Sequence, residues 1–243
     1  GEQEVQQHIQ APTNMIAVGA SAGGLQAIRR FISELTELPD TAVVIIQHLS
    51  GENISLMDQL IERYTKVKVK FAEPGPIEAN TIYLNNGSFN ICVKDGQFVS
   101  VDRYKTDYDY YFPINLFFTS VAHEYGAHAA GVILTGTGTD GSEGIMAIKE
   151  FGGIVMIQDP EQSEFNGMPE AALKQGVHDF VLPLKELGEH VQRMFSSSLV
   201  RIASATERKD SVTDLSDQEF ERYVNKILVH IKSLTGMNFL SYK

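Results

Sequence analysis

The sequence predicts an α/β fold: a doubly wound, mostly parallel sheet with helices on both faces and a small antiparallel hairpin segment. Short apolar runs, which are typical of strands buried on both faces, alternate with stretches of helical spacing. One stretch with Asn-Gly and Asp-Gly turns departs from this alternation. Of the 243 residues, 43% are hydrophobic and 21% are charged, a composition that predicts one sizeable globular core.

Six apolar runs predict the parallel strands. They are MIAV (15–18), VVII (43–46), VKVKF (67–71), GVIL (131–134), IVMI (154–157) and DFVL (179–182). Helical spacing occurs between them, in the segments 24–38, 54–64, 114–126, 142–151 and 169–175. Strands that alternate with helices in this way favour parallel pairing through right-handed crossovers.

Residues 81–101 are the exception to the alternation. Period-two segments are separated there by the turns Asn86-Gly87 and Asp95-Gly96, which favour antiparallel strands or hairpins. We expect this whole stretch at a sheet edge or as a flap.

The two ends of the chain differ in composition from its middle. Residues 1–14 are polar and predict a flexible lead-in, and the main domain is expected over 15–195. Residues 196–217 are rich in Ser, Thr and charge and predict a linker. In 218–243, apolar residues recur every three or four positions behind a capping box. This segment predicts a helix that opens a second, truncated domain.

Charge and cysteine content exclude several classes of function. A formal net charge of −11 argues against nucleic acid as a partner, because an acidic surface repels phosphates. No run approaches the ~20 apolar residues of a membrane-spanning helix. The single cysteine, Cys92, can form neither an internal disulfide nor a CxxC metal site, which favours a cytoplasmic setting. No histidine shows a metal-ligand spacing, so we expect neither metal nor cofactor.

The first predicted strand ends in GASAGG (19–24), and a helix follows directly. As Gly19-x-Ser21-x-Gly23 this stretch matches a nucleophile elbow, a sharp turn that exposes the serine hydroxyl. Two alternatives stay open. The serine could cap the helix in a structural turn, or the glycines could cradle a dinucleotide pyrophosphate. The second alternative is weaker, because Ser21 stands where the dinucleotide fingerprint needs glycine.

Two further strand ends carry side chains suited to catalysis. His48 follows VVII, and Asp140 lies in the loop TGTGTDG (135–141) after GVIL. Taken singly, His48 could be structural and Asp140 could cap the next helix. The carboxyl ends of parallel strands converge on one crevice, so Ser21, His48 and Asp140 are expected to meet there. A hydroxyl, an imidazole and a carboxylate are the groups that acyl transfer through a covalent intermediate requires.

These motifs resemble the catalytic domain of the CheB-type receptor methylesterases, the protein-glutamate methylesterase and deamidase family. The resemblance covers about residues 15–195 and rests on VGASAGG, VVIIQHL, GVILTGTGTDG and FNGMP, in that order. It implies a Ser-His-Asp triad formed by Ser21, His48 and Asp140. The segment 15–195 would then be a methylesterase catalytic domain.

Two positions depart from that family's pattern. Ala22 stands where a threonine commonly follows the serine, and Thr137 replaces a methionine that the family assigns to the oxyanion site. We expect the backbone N–H groups of Ala22 and of the Thr137 loop to be the oxyanion donors.

The resemblance implies hydrolysis of glutamyl methyl esters on chemoreceptor proteins, and deamidation of certain receptor glutamines. A chemoreceptor or related signalling protein would be the substrate. The closing stretch of 218–243 resembles the first helix of the CheR-type receptor methyltransferases, which implies a methyltransferase domain on the same longer chain. Residues 1–14 are too few for the receiver domain of well-known members, so we expect no phosphorylation in cis.

Two other functions are compatible with the sequence. One is a docking module of a signalling system that keeps the fold while Ala22 and Thr137 mark a loss of catalysis. The other is a nucleotide-cofactor enzyme that uses GASAGG as its phosphate turn.

Overall fold

The structure is a computed structural model that describes residues 9–48, 57–101 and 112–196. The strands are β1 (Asn14–Ala20), β2 (Thr41–Gln47), β3 (Lys68–Phe71), β4 (Gly75–Pro76), β5 (Thr81–Leu84), β6 (Asn90–Lys94), β7 (Gln97–Val101), β8 (Ala129–Ile133), β9 (Ile154–Gln158) and β10 (Phe180–Leu182). The helices are α1 (Gly24–Ile32), α2 (Met57–Glu62), α3 (Pro113–Tyr125), α4 (Ser142–Glu150), α5 (Gly167–Leu173) and α6 (Leu184–Ser196).

The main sheet has seven strands in the order β10-β9-β8-β1-β2-β5-β3, and every pairing in it is parallel. From β1 the chain winds outward through β2 to β3 and β5. It then returns to β8 beside β1 and winds outward in the other direction. The predicted doubly wound, mostly parallel sheet is therefore confirmed. At such a reversal the loops after adjacent strands leave a crevice at the carboxyl edge of the sheet, where ligands bind.

Both faces of the sheet are covered, which explains why its strands read as continuous apolar runs. Side chains alternate between the two faces of a strand. On one face Ile16 and Val18 of β1 pack in a core with residues of α1, α2 and α6. On the other face Met15 and Ala17 pack with residues of α3, α4 and α5. All seven residues of β1 are buried, as a central strand with helices on both sides requires.

A second sheet of three short strands, in the order β4-β7-β6, is antiparallel. Its hairpin turns at Asp95 and Gly96, whose φ values of 51° and 70° are those that a two-residue type I′ turn requires. The sheet packs on α3, where the Ser120 hydroxyl accepts the N–H of Val93 at 3.0 Å. The predicted antiparallel hairpin is confirmed for this part of the chain.

The prediction that all of 81–101 is antiparallel was wrong for its first four residues. Residues Thr81–Leu84 form β5, which lies in the main sheet between β2 and β3 and is parallel to both. All four residues are buried. Four residues are too few for the spacing of apolar side chains to show whether one or both faces of a strand are buried. The prediction therefore followed the nearby Asn-Gly turn, which is typical of hairpins.

Two helix predictions also need correction. The helix predicted over 24–38 ends at Ile32, and the apolar residues Leu35 and Leu38 beyond it are buried in a non-helical segment. Helix α6 was absent from the predicted helices. Its apolar residues Leu187, Val191 and Phe195 repeat every four positions and pack on the face that carries α1.

The ends of the chain are described in part. Strand β1 begins at Asn14, the last residue of the predicted lead-in, and α6 closes at Ser196, the first residue of the predicted linker. The rest of the linker and the predicted helix over 218–243 lie outside the described residues and stay predictions. Among the helices that the structure does describe, none is long and apolar enough to cross a bilayer.

The half-buried His123 of α3 couples the stability of the fold to pH. Its ring packs against Phe151, with 4.4 Å between the ring centroids, and burial lowers its pKa from 6.5 to about 4. The unfolded chain therefore binds a proton near pH 6.5 that the folded chain takes up near pH 4. Stability from this residue is present above pH 6.5 and is lost as the pH falls towards 4.

We expect His123→Gln to flatten this pH dependence. On lowering the pH from 7.5 to 4.5, the free energy of unfolding of the variant should fall by about 1–2 kcal/mol less than that of the parent, as measured by urea denaturation. His178→Gln, at an exposed position before β10, is the control and should follow the parent curve. Identical pH dependence of parent and His123→Gln would contradict the assignment.

Candidate active site

The three residues predicted to act together follow the carboxyl ends of β1, β2 and β8. Strands β1 and β2 pair in parallel with Ala20 opposite Gln47, and Ser21 and His48 are the next residue of each strand. Adjacent strands lie ~4.8 Å apart, so these two residues are neighbours across the sheet. Strand β8 pairs with β1 on its other side, and the loop after it contains Asp140.

Ser21 sits in a tight turn between β1 and α1. Its N–H donates to the Thr135 carbonyl at 3.0 Å, and its own carbonyl accepts the Gly24 N–H at 2.8 Å. Gly23 takes the left-handed conformation, with φ 72°, and is the N-cap of α1 without a side-chain cap bond. The alternative of a helix-capping serine was therefore wrong. The turn instead leaves the Ser21 side chain partly exposed at the crevice.

The backbone of Gly136 packs directly against Ser21. A Cβ atom at position 136 would lie 2.8 Å from Ser21 Cβ and 2.4 Å from Met168 Sδ, distances too short for carbon and sulfur atoms. Two hydrogen bonds fix the backbone at Gly136. The Gly136 N–H donates to the Phe165 carbonyl at 2.9 Å, and the Gly136 carbonyl accepts the Met168 N–H at 2.8 Å. Glycine at 136 is required because the turn that contains Ser21 and helix α5 both approach it closely.

His48 and Asp140 are in direct contact. His48 Nε2 lies 2.7 Å from Asp140 Oδ2, and the imidazole retains 35% of its accessible surface while the carboxylate retains 2%. Because a carboxylate accepts and does not donate, Nε2 carries the proton of the neutral ring and Nδ1 carries the lone pair. Among the described residues no hydrogen bond joins the Ser21 hydroxyl to this ring.

Asp140 is held by the first turn of α3. Its Oδ2 accepts the Ile114 N–H at 3.0 Å and its Oδ1 accepts the Asn115 N–H at 2.8 Å. These N–H groups have no partner inside their own helix, and the helix N-terminus favours a negative charge. The alternative in which Asp140 caps the helix that follows it, α4, was wrong. The N-cap of α4 is Gly141, and the Asp140 side chain accepts the free N–H groups of α3 instead.

Two of the nearby backbone N–H groups are already engaged, which narrows the choice of oxyanion donors. Ser21 N–H bonds to Thr135 and Gly136 N–H bonds to Phe165. For the N–H groups of Ala22 and Thr137 no acceptor occurs in the parts of the chain that are described, and Thr137 is exposed. Both are therefore free to bind an oxyanion, and their role as oxyanion donors stays a prediction.

Sequence reasoning missed the polar side chains that support the site. Asn85, after β5, accepts the Gln47 N–H and donates to the Gln47 carbonyl, both at 2.9 Å, and so fixes the peptide before His48. Gln158, at the end of β9, accepts the Thr135 N–H at 2.8 Å. Their position in the sequence could have identified them, because each is a polar residue directly at the end of a buried strand, as His48 is.

Two other chemistries find no support in the described residues. They contain no group of three His, Cys, Asp or Glu side chains that could hold a metal ion. Cys92 is fully buried in β6, and burial raises the pKa of its thiol to about 12, so it is not a nucleophile near neutral pH.

Comparison with known proteins places the chain in a family. Residues 16–191 match the family described as CheB methylesterase. The chain belongs to the CheB methylesterase family. The resemblance noted from the motifs is thereby confirmed, and the dinucleotide-binding alternative is left without support.

Individual relatives agree with this family. The protein-glutamate methylesterase/protein-glutamine glutaminase of Borreliella burgdorferi is 34% identical over 191 residues, covering 74% of this chain and 47% of the relative. A protein of the same name from Carboxydothermus hydrogenoformans is 35% identical, covering 73% and 54%. The chain thus spans about half the length of these curated relatives. The catalytic domain of Thermotoga maritima CheB methylesterase has the same fold, with a TM-score of 0.65 at 22% identity, covering 74% of this chain and 98% of that one.

We expect Gly136→Ala to displace Ser21 or Met168 and to slow the reaction of Ser21 with a fluorophosphonate probe. A shift of about 1 Å at a reacting group can cost about 100-fold in rate, so we expect at least a tenfold slower labelling. The control Gly176→Ala introduces a methyl group at a φ of 69°, with no atom of Ser21 or of any other non-adjacent described residue within 4 Å. It should cost stability and leave labelling unchanged. Labelling of Gly136→Ala at the parent rate would refute the packing argument.

Proposed function

We propose that this chain is a serine hydrolase that removes methyl groups from glutamyl methyl esters of chemoreceptor proteins and deamidates receptor glutamines. The observation that supports it most is the 2.7 Å contact between His48 and Asp140 at the sheet edge where Ser21 also lies. The relatives' name, protein-glutamate methylesterase/protein-glutamine glutaminase, supplies the substrate class. In this proposal Ser21 is the nucleophile, His48 the base and Asp140 the orienting acid.

The reaction begins with attack of Ser21 Oγ on the ester carbonyl carbon. The hydroxyl proton passes to His48 Nδ1, because Nε2 is engaged by Asp140. The buried carboxylate of Asp140 stabilises the imidazolium that forms. The bond from carbonyl carbon to methoxy oxygen then breaks, and the imidazolium protonates the leaving oxygen to give methanol. For a glutamine substrate, ammonia leaves in place of methanol.

Water completes the cycle. His48 takes a proton from a water molecule as its oxygen adds to the acyl-enzyme carbonyl, and the bond to Ser21 Oγ breaks with return of the proton. The product is a glutamate side chain. In both steps the negative charge on the carbonyl oxygen is stabilised by the backbone N–H groups of Ala22 and Thr137, each contributing a factor of about 10² to 10³. Since a backbone amide is independent of the side chain, the departures at Ala22 and Thr137 are compatible with activity.

The partners follow from the same proposal. The substrate would be a methyl-accepting chemoreceptor or related signalling protein in the cytoplasm, with no role for nucleic acid, cofactor or metal. A methyltransferase domain on the same longer chain stays a prediction, because the residues that resemble it lie outside the described part. A docking module without catalysis is the competing function.

We expect Ser21→Ala and His48→Ala each to lower methanol release from a methylated receptor signalling fragment by about 10³-fold or more. Ser21 lies outside the buried core, so the melting temperature of Ser21→Ala should stay near that of the parent. That of His48→Ala should fall, because the buried Asp140 loses one of its three donors. Turnover near the parent rate in either variant would remove the triad. Failure of the parent chain to react with a fluorophosphonate would favour the docking module, because an unactivated serine stays unmodified.

Asp140→Asn should reduce both turnover and stability. The carboxylate accepts three donors, two at Oδ2 and one at Oδ1. An amide nitrogen would oppose at least one of them in either orientation, at a cost of about 1–3 kcal/mol in unfolding free energy. Turnover should fall by about 10²- to 10⁴-fold, since the imidazole tautomer is no longer controlled. Asp179→Asn is the matched control, because Asp179 also accepts a backbone N–H, from Val155. Asp179→Asn should lower the free energy of unfolding and leave turnover unchanged.

A further inference from the structure

Asn115, a residue that sequence analysis did not single out, faces the loop that contains Asp140. It is the third residue of α3 and is 3% exposed. Its Oδ1 accepts the Gly141 N–H at 2.8 Å and the Gly144 N–H at 2.9 Å. Gly141 is the N-cap of α4 and Gly144 lies in its first turn. Asn115 thus does for α4 what a capping side chain at position 141 would ordinarily do.

A side chain at 141 has no space. Gly141 has φ 93°, and a Cβ atom there would lie 2.5 Å from Ile133 Cδ1 and 3.0 Å from Ile114 Cγ2. Because the cap residue must be glycine, the first N–H groups of α4 need an acceptor from another element. These groups are buried, and an unpaired buried N–H is costly. Asn115 is that acceptor.

The two helices cap each other. Asp140 accepts the N–H groups of Ile114 and Asn115 at the start of α3, while the Asn115 side chain accepts those of Gly141 and Gly144 at the start of α4. The exchange joins Asp140 and Gly141, two consecutive residues, to the same residue of α3. The side chain of Asp140 and the N–H of the next residue are therefore both fixed to Asn115. Water molecules at the N-terminus of α4 would leave Gly141 without this link to α3.

We propose that Asn115 is a positioning residue, which sets the place and orientation of the Asp140 carboxylate and through it the tautomer of His48. This inference rests on the proposed function for its kinetic part. The described hydrogen bonds of the Asn115 side chain go to Gly141 and Gly144 and not to His48 or Ser21. Its action on the reaction is indirect.

The test compares Asn115→Ala with Asn115→Asp. Alanine removes the acceptor. Aspartate keeps an oxygen in the same place, and the N-terminus of α4 favours its negative charge. We expect kcat for methanol release to fall about 10- to 100-fold in Asn115→Ala with KM within about twofold of the parent. Asn115→Asp should be at least about fivefold faster than Asn115→Ala.

The control is Thr119→Val, one turn further along α3. The Thr119 hydroxyl is also buried, and it donates to the Asn115 carbonyl within the same helix. Its removal weakens α3 without touching the Asp140 loop, so kcat should stay within about twofold of the parent despite a lower melting temperature. An equal loss of kcat in Thr119→Val and Asn115→Ala would show that general destabilisation of α3 is the cause, and would overturn the proposal.

A second measurement does not depend on esterase activity. Nitrogen NMR of His48 distinguishes the protonated ring nitrogen from the one with the lone pair. The parent and Asn115→Asp should show the proton on Nε2, and Asn115→Ala should show a mixture of the two tautomers. An unchanged tautomer in Asn115→Ala, or an Asn115→Asp spectrum as mixed as that of Asn115→Ala, would overturn the positioning role. If the parent releases no methanol while these spectra differ as expected, the proposed function fails and the positioning role stands.

Discussion

The buried carboxylate of Asp140 is the group on which the arrangement of the site depends. It is 2% exposed and accepts three hydrogen bonds, from the backbone of Ile114 and Asn115 and from His48. An ionised carboxylate without such donors would be prohibitively costly at this depth. The first N–H groups of α3 would be equally costly without an acceptor. The carboxylate and the N–H groups therefore satisfy each other, and Oδ2, which accepts the Ile114 N–H, also contacts the imidazole of His48.

Side-chain amides extend this principle along the carboxyl edge of the sheet. Where β2 and β8 end, their backbone groups lose the neighbouring strand as a partner, and Asn85 and Gln158 replace it. Asn115 does the same for the start of α4. Loops are ordinarily the mobile part of a fold. Here the amide of Asn85 is bonded to the backbone beside His48, and the amide of Asn115 to the backbone beside Asp140. The amide of Gln158 is bonded to Thr135, whose carbonyl accepts the Ser21 N–H. A site held in this way is organised before substrate arrives.

Prediction from the sequence succeeded where burial is complete and failed where local pattern and tertiary environment disagree. Strands β1, β2 and β8 were found because continuous apolar runs need cover on both faces. Strand β5 was misassigned because four residues beside an Asn-Gly turn look alike in a hairpin and in a parallel sheet. The helix α1 was predicted too long because Leu35 and Leu38 keep helical spacing after the helix has ended. These two leucines are apolar because they are buried in the core, and they are not part of a hydrogen-bonded helix.

From the sequence by itself came the class of the fold, the family, and the loops that carry Ser21, His48 and Asp140. Periodicity and motif order are properties of neighbouring residues, so the sequence expresses them directly. Tertiary structure alone decided which helix Asp140 caps, which imidazole nitrogen it engages, and that Asn115 replaces the missing cap of α4. Those outcomes depend on which orphan N–H groups a folded chain brings within 3 Å of an oxygen. No spacing along the sequence records that proximity.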